Sequence, residues 1–275
     1  MEVDYIEIEF NEINKKVLFE NNNKEVIINK DNEKFYIKLA LKEGAEQIVA
    51  FSNGAVNREK KTPPIFMRST WSDEINANCI YIDDKTIHGG NVRIGWGIGR
   101  KNRHFIEDYS LIVKKIASQL NIRPRNVIYY GSSAGGFMSL LLASMHTYST
   151  AVVNNPQIEV FNFHEGHVKE LTDFVFPNFT NAEIKSKYYE RFSVIEFFKK
   201  SEYTPRIFYY QNDKHKVDID NHFNPFKKGL EINNIPDRKI TYVLYNNLRL
   251  GHDPLPKELT VANINHILNT IDLRY

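Results

Sequence analysis

Residues 131–136 read Gly131-Ser132-Ser133-Ala134-Gly135-Gly136 and fit the pattern G-x-S-x-G centred on Ser133. Val127-Ile128-Tyr129-Tyr130 leads in with the apolar character of a buried strand, and residues 134–146 lead out as an apolar helix. A strand that turns straight into a helix needs a tight, strained bend, and small residues around the serine permit it. The serine then stands at a helix N-terminus, where free N–H groups and the helix dipole favour negative charge. The chemistry this predicts is attack by the Ser133 hydroxyl on an acyl carbon. Ser132 lacks the glycine spacing and is the weaker candidate. A Gly/Ser-rich turn that merely starts a helix, or binds phosphate, is the alternative for the segment.

A serine hydroxyl needs a base. Four histidines follow the later strands: His215, His222, His252 and His266. His252, in Leu250-Gly251-His252-Asp253 between a strand at 239–245 and the last helix, is the predicted base. His266 falls within that helix. With the chain order serine, acid, histidine, the acid should end the preceding strand, 206–210. That strand runs into Gln211-Asn212-Asp213-Lys214-His215, so Asp213 is the predicted acid, with Asp218 and Asp220 as rivals. Asp253 directly follows the base and is badly placed to turn back on it. The oxyanion donors expected are the N–H of Ala134 and one from Asn53-Gly54-Ala55, with Asn53 and Gly54 as candidates. Gly54 suits a simple turn equally well.

The elements that must position these groups follow from periodicity. Strands are predicted at 3–10, 15–20, 24–29 and 34–41, separated by Asn21-Asn22-Asn23 and Lys30-Asp31-Asn32, and read as antiparallel strands within 1–45. Strands at 47–52, 78–83, 126–130, 151–154, 206–210 and 239–245 then alternate with helices at 105–120, 134–146 and 259–273. Such alternation implies parallel pairing, and strands apolar on both sides imply helices on both faces of the sheet. The fold class expected is α/β, one domain over 1–275. Residues 157–204 interrupt the rhythm with an aromatic-rich stretch that includes Phe161, Phe163, Phe176 and Phe192. This segment reads as a helical cap over the site, with packing against the core as the alternative.

Bulk properties exclude several functions. The 36 Lys and Arg against 34 Asp and Glu leave a formal charge of +2, with no basic excess for nucleic acid. The lone Cys79 allows no intrachain disulfide and lies in an apolar strand as a core residue. Residues 1–10 are acidic and alternating, unlike a signal peptide, and no apolar run approaches the ~20 residues of a membrane helix. A cytoplasmic location is the expectation. His164 and His167 have a His-x-x-His spacing without a third ligand, so no metal is expected. No Walker loop, dinucleotide fingerprint or HExxH is present.

Taken together, the residues around Ser133, Asp213 and His252 resemble the α/β-hydrolase superfamily over about 35–275. A narrower resemblance lies in Phe51-Ser52-Asn53-Gly54-Ala55, Pro64-Ile65-Phe66-Met67-Arg68-Ser69, Gly95-Trp96-Gly97-Ile98-Gly99, Tyr130 to Phe137, Asn155-Pro156-Gln157 and Gly251-His252-Asp253. These are similar to α/β-hydrolase-type O-acetyltransferases of bacterial capsules and surface polysaccharides. The resemblance implies that acetyl passes from acetyl-CoA, a substrate rather than a bound cofactor, onto the serine and then to a sugar hydroxyl. Gln211 departs from the glycine usual before the acid. An esterase or deacetylase acting on small or glycan acyl esters is the alternative, since water can take the acyl group where it is not excluded. A non-catalytic, partner-binding relative is a third reading, against which the intact serine, histidine and aspartate set speaks.

Overall fold

The computed structural model describes residues 5–271. Its strands are β1 (Ile6–Glu9), β2 (Glu25–Lys30), β3 (Glu33–Ala40), β4 (Ile48–Ser52), β5 (Asn78–Ile82), β6 (Val127–Ser133), β7 (Thr150–Pro156), β8 (Arg206–Asn212) and β9 (Ile240–Tyr245). The helices are α1 (Lys15–Glu20), α2 (Phe105–Gln119), α3 (Ala134–Met145), α4 (Glu165–Val175), α5 (Asn181–Tyr188), α6 (Val194–Ser201), α7 (Lys216–Asp218), α8 (Asn224–Ile232) and α9 (Lys257–Ile271). The strands form one sheet in the order β1-β2-β3-β5-β4-β6-β7-β8-β9. Every neighbouring pair from β5 through β9 is parallel, while β2–β3 and β3–β5 are antiparallel.

The central strands β4, β5 and β7 are buried at every position. Alternation sends Val127 and Tyr129 of β6 into a large core that includes residues of α2, α3 and α6, and Ile128 and Tyr130 into a smaller one that includes residues of α9. Helices thus cover both faces, as the apolar strands demand. Cys79 is buried in the smaller core, and burial pushes its thiol up to about 11.

Two expectations at the N-terminus are corrected. Residues 15–20 are helix α1, not a strand: the Asn14 side chain accepts from the Val17 N–H and caps it. A helix between two strands returns the chain in the same direction, so β1 pairs parallel with β2 rather than antiparallel. The expected strand over 3–10 begins, and the helix over 259–273 ends, outside the described residues. No helix of the described residues is long and apolar enough to cross a membrane.

The aromatic stretch 157–204 folds as α4, α5 and α6. Phe176, Phe192, Phe197 and Phe198 are buried members of the main core, so much of its aromatic content is core packing. Phe163 is half-buried against the same core, edge-on to its buried Trp96 with ring centres 5.7 Å apart.

Candidate active site

Strand β6 passes into α3 through Ser133, whose backbone sits at φ 54°, ψ −125°. A non-glycine residue at positive φ is strained and is held only where its surroundings dictate it. Here packing does so. A Cβ at Gly131 would lie 2.1 Å from the Gly135 carbonyl oxygen, and one at Gly135 would lie 2.6 Å from that of Ser52. The bend also shifts the β6–β7 register between Ser132 and Ser133. The hydroxyl is thereby carried to the C-terminal edge of the parallel strands, with Ala134 as the first residue of α3.

His252, in the loop after β9, places Nε2 2.9 Å from Ser133 Oγ. Its Nδ1 lies 2.9 and 2.7 Å from the two oxygens of Asp218. A carboxylate can only accept, so Nδ1 carries the proton and Nε2 is left to accept from the serine hydroxyl. Asp218 is buried, and His252 is about one-third exposed. The arrangement is competent for general-base activation of the hydroxyl, with the imidazolium stabilised by the carboxylate behind it.

Asp213, the acid expected from the sequence, does not occupy this place. Strand β8 runs on to Asn212, and Asp213 continues its ladder by donating its N–H to the Tyr245 carbonyl at 2.9 Å. The side chain of Asp213 is exposed. The turn of α7 then carries the chain back and points Asp218 at the base. Its rival Asp220 is exposed. Asp218 is shared: His215 Nδ1 also lies 3.0 Å from its Oδ2. His222 is buried, with Nδ1 3.3 Å from the Ile158 N–H, and burial lowers it to about 4.

The base loop is anchored by amides at the strand ends. Asn155, at φ 44°, donates through Nδ2 to Tyr245 Oη (3.0 Å) and to the carbonyls of His252 (3.0 Å) and Asp253 (3.1 Å). Its Oδ1 accepts from the Asn212 N–H at 2.8 Å. Asn212 in turn donates to the carbonyls of Asn247 (2.7 Å) and Gly251 (2.8 Å). Asn154 accepts from the Leu255 N–H at 2.7 Å.

The oxyanion candidates fare differently. The N–H of Ala134 belongs to the first turn of α3, where no intrahelical acceptor exists. The Asn53 side chain is occupied in shaping its own loop, donating to the Ile65 carbonyl and accepting from the Met67 N–H at 3.0 Å. The Gly54 N–H faces the Met67 thioether at 3.3 Å, a weak acceptor.

Sequence reasoning gave no role to Gln157. It is fully buried, and its Nε2 donates to Ser133 Oγ at 3.1 Å. Its Oε1 accepts from the Trp96 indole N–H, which can only donate and so fixes which end of the amide faces the serine. The backbone joins in, with the Gln157 N–H donating to the Ser133 carbonyl at 3.1 Å. The Asn-Pro-Gln run was visible, but nothing in its spacing ties residue 157 to residue 133.

A family model described as "Prolyl oligopeptidase family" matches residues 95–215, the stretch that contains the serine bend. No curated protein matches the chain by sequence. Among solved structures, the capsule O-acetyltransferase of Neisseria meningitidis serogroup A is similar at 16% identity and TM-score 0.64, over 88% of this chain and 95% of that one. An esterase from Rhizomucor miehei aligns at 14% identity and TM-score 0.58, over 90% and 81% of the respective chains. Prolyl oligopeptidase B from Galerina marginata aligns at 16% and 0.60, over 90% of this chain but 36% of its own. Identities this low carry topology alone, and together with the strand order and the serine bend of this chain they show its fold: this chain has the α/β-hydrolase fold.

Proposed function

We propose that the chain is a serine-dependent acyltransferase, an O-acetyltransferase acting on a bacterial capsular or surface polysaccharide. The observation that carries the reading is the continuous line Ser133–His252–Asp218, with contacts of 2.9 and 2.7 Å, on a fold shared with a capsule O-acetyltransferase over nearly that protein's full length. Ser133 is the nucleophile, His252 the base and Asp218 its orienting acid; Ala134 and Gly54 supply the oxyanion N–H groups, with Gly54 turning from Met67. Acetyl-CoA is the donor, a choice supported by a structure of the Neisseria enzyme in complex with CoA. Residues 157–204 shape the acceptor side through Phe163 and Gln157, both of which contact Trp96.

Hydrolysis is the second reading, favoured by the one-third exposure of His252, which leaves water a path to the acyl-enzyme. Partitioning decides between them. With acetyl-CoA supplied, millimolar oligosaccharide acceptor should divert most of the acetyl from free acetate to sugar. Acetate release indifferent to acceptor defeats the transferase in favour of an esterase. Acetyl found on Ser133 by mass spectrometry is common to both.

A further inference from the structure

We propose that Arg68 forms a subsite for an anionic group, phosphate or carboxylate, on the acyl-bearing substrate; the proposal rests on the acyl-transfer reading above. Arg68 lies on the long loop between β4 and β5, with a left-handed backbone at φ 67°, ψ 11°. Its Nη2 donates to Ser132 Oγ at 2.6 Å, one residue from the nucleophile. The guanidinium lies over two rings, its carbon 5.2 Å from the centre of Tyr130 and 5.5 Å from that of Trp71.

What Arg68 lacks is a counter-charge. Among the described residues no carboxylate lies within ion-pair distance of it, and its Nη1 is buried without a hydrogen-bond partner. The Tyr130 hydroxyl, on the ring beneath, is likewise buried and unpartnered. Two arginines of the scaffold show the usual pairing, Arg103 with Asp108 at 2.8 Å and Arg100 with Glu33 at 2.7 Å, and Arg58 and Arg191 donate to backbone carbonyls. Burying a guanidinium nitrogen without a hydrogen-bond partner is costly, and aromatic faces offset only part of that cost. A planar fork with an unused N–H, set over a ring whose own phenol is unpartnered, suits an oxyanion. Arg68 therefore recognises charge on the substrate a few bonds from the ester, and Ser132 serves to aim it.

The test separates binding from turnover. Ser133→Ala protein, which cannot be acylated at that position, is titrated calorimetrically with 4-acetoxyphenyl phosphate, 4-acetoxybenzoate and the neutral methyl 4-acetoxybenzoate. At least one anionic ester should bind about tenfold or more tighter than the neutral one, and the better of the two identifies the group. Adding Arg68→Gln should abolish that preference, whereas Arg68→Lys, which keeps the charge but loses the fork, should retain part of it. Equal binding of charged and neutral esters, or a preference that survives Arg68→Gln, overturns the proposal. With Ser133 intact, the ratio of kcat/KM for anionic over neutral ester should fall in Arg68→Gln. An equal loss on both would make Arg68 an oxyanion donor and also overturn it. If the wild type turns over none of the three esters, the acyl-transfer reading fails, and the calorimetric result still decides the subsite.

Discussion

Both carboxylate oxygens of Asp218 lie within 2.9 Å of His252 Nδ1, while Asp213, which directly follows the strand, faces solvent. Asp218→Asn should therefore leave the fold intact and lower kcat by about 10⁴, because an amide stabilises the wrong imidazole tautomer. Asp213→Asn should change kcat by about twofold or less, as expected of an exposed side chain. Steady-state kinetics on an aryl acetate check both, and the reverse ranking would return the acid to Asp213.

Ser133→Ala should reduce turnover by about 10⁴–10⁶, the range for loss of an activated serine. Ser132→Ala keeps the nucleophile and loses only the hydroxyl that meets Arg68, so it should have a much smaller effect on a neutral ester. Wild-type rates in purified Ser133→Ala protein would remove the serine from the mechanism.

Gln157 donates to Ser133 Oγ, and on the proposed mechanism this bond holds the attacking oxygen in position. Gln157→Ala should cost about 10–100-fold in kcat, somewhat below the loss of a full oxyanion donor. Trp96→Phe leaves the amide in place but frees it to rotate, so it should cost less. If Gln157→Ala keeps the wild-type kcat on the aryl acetate, the amide is not the group that matters.

Glu159, two residues on, is raised to about 7, first by burial, against hydrogen bonds from Ser193, Tyr189 and the Phe161 N–H. The folded chain thus keeps a proton that the unfolded chain releases above about 4.5. Stability should fall as pH rises from about 4.5 to 7, by an amount of order 1–3 kcal/mol. Glu159→Gln removes the titration, so its melting temperature should gain on the wild type across that window. Parallel pH profiles for the two proteins in thermal melts would contradict this.

The bend at Ser133 and its meeting with His252 are legible in the sequence because both depend on local pattern: small residues between an apolar strand and helix, and a histidine in the loop before the last helix. The acid is less legible because β8 extends two residues beyond its apolar stretch and a helical turn then reverses direction, so the carboxylate nearest in sequence is the wrong one. Gln157 escapes entirely, since its role depends on Trp96, 61 residues away. Residues 15–20 misled because Val17, Leu18 and Phe19 suit a strand, whereas the Asn14 cap decides for a helix with only Leu18 buried. The aromatic stretch 157–204 reads as a cover or as core packing because composition cannot distinguish a ring facing the core from one facing a cleft.

A single side chain, that of Asn155, joins the ends of β7, β8 and β9 to the loop that carries His252. That loop consequently has little freedom to fluctuate by itself, and its amide hydrogens should exchange through the same opening event as the neighbouring strand ends. Detaching the imidazole requires several bonds at three strands to break together. Loss of activity under heat or denaturant should therefore coincide with melting of this edge of the sheet rather than precede it.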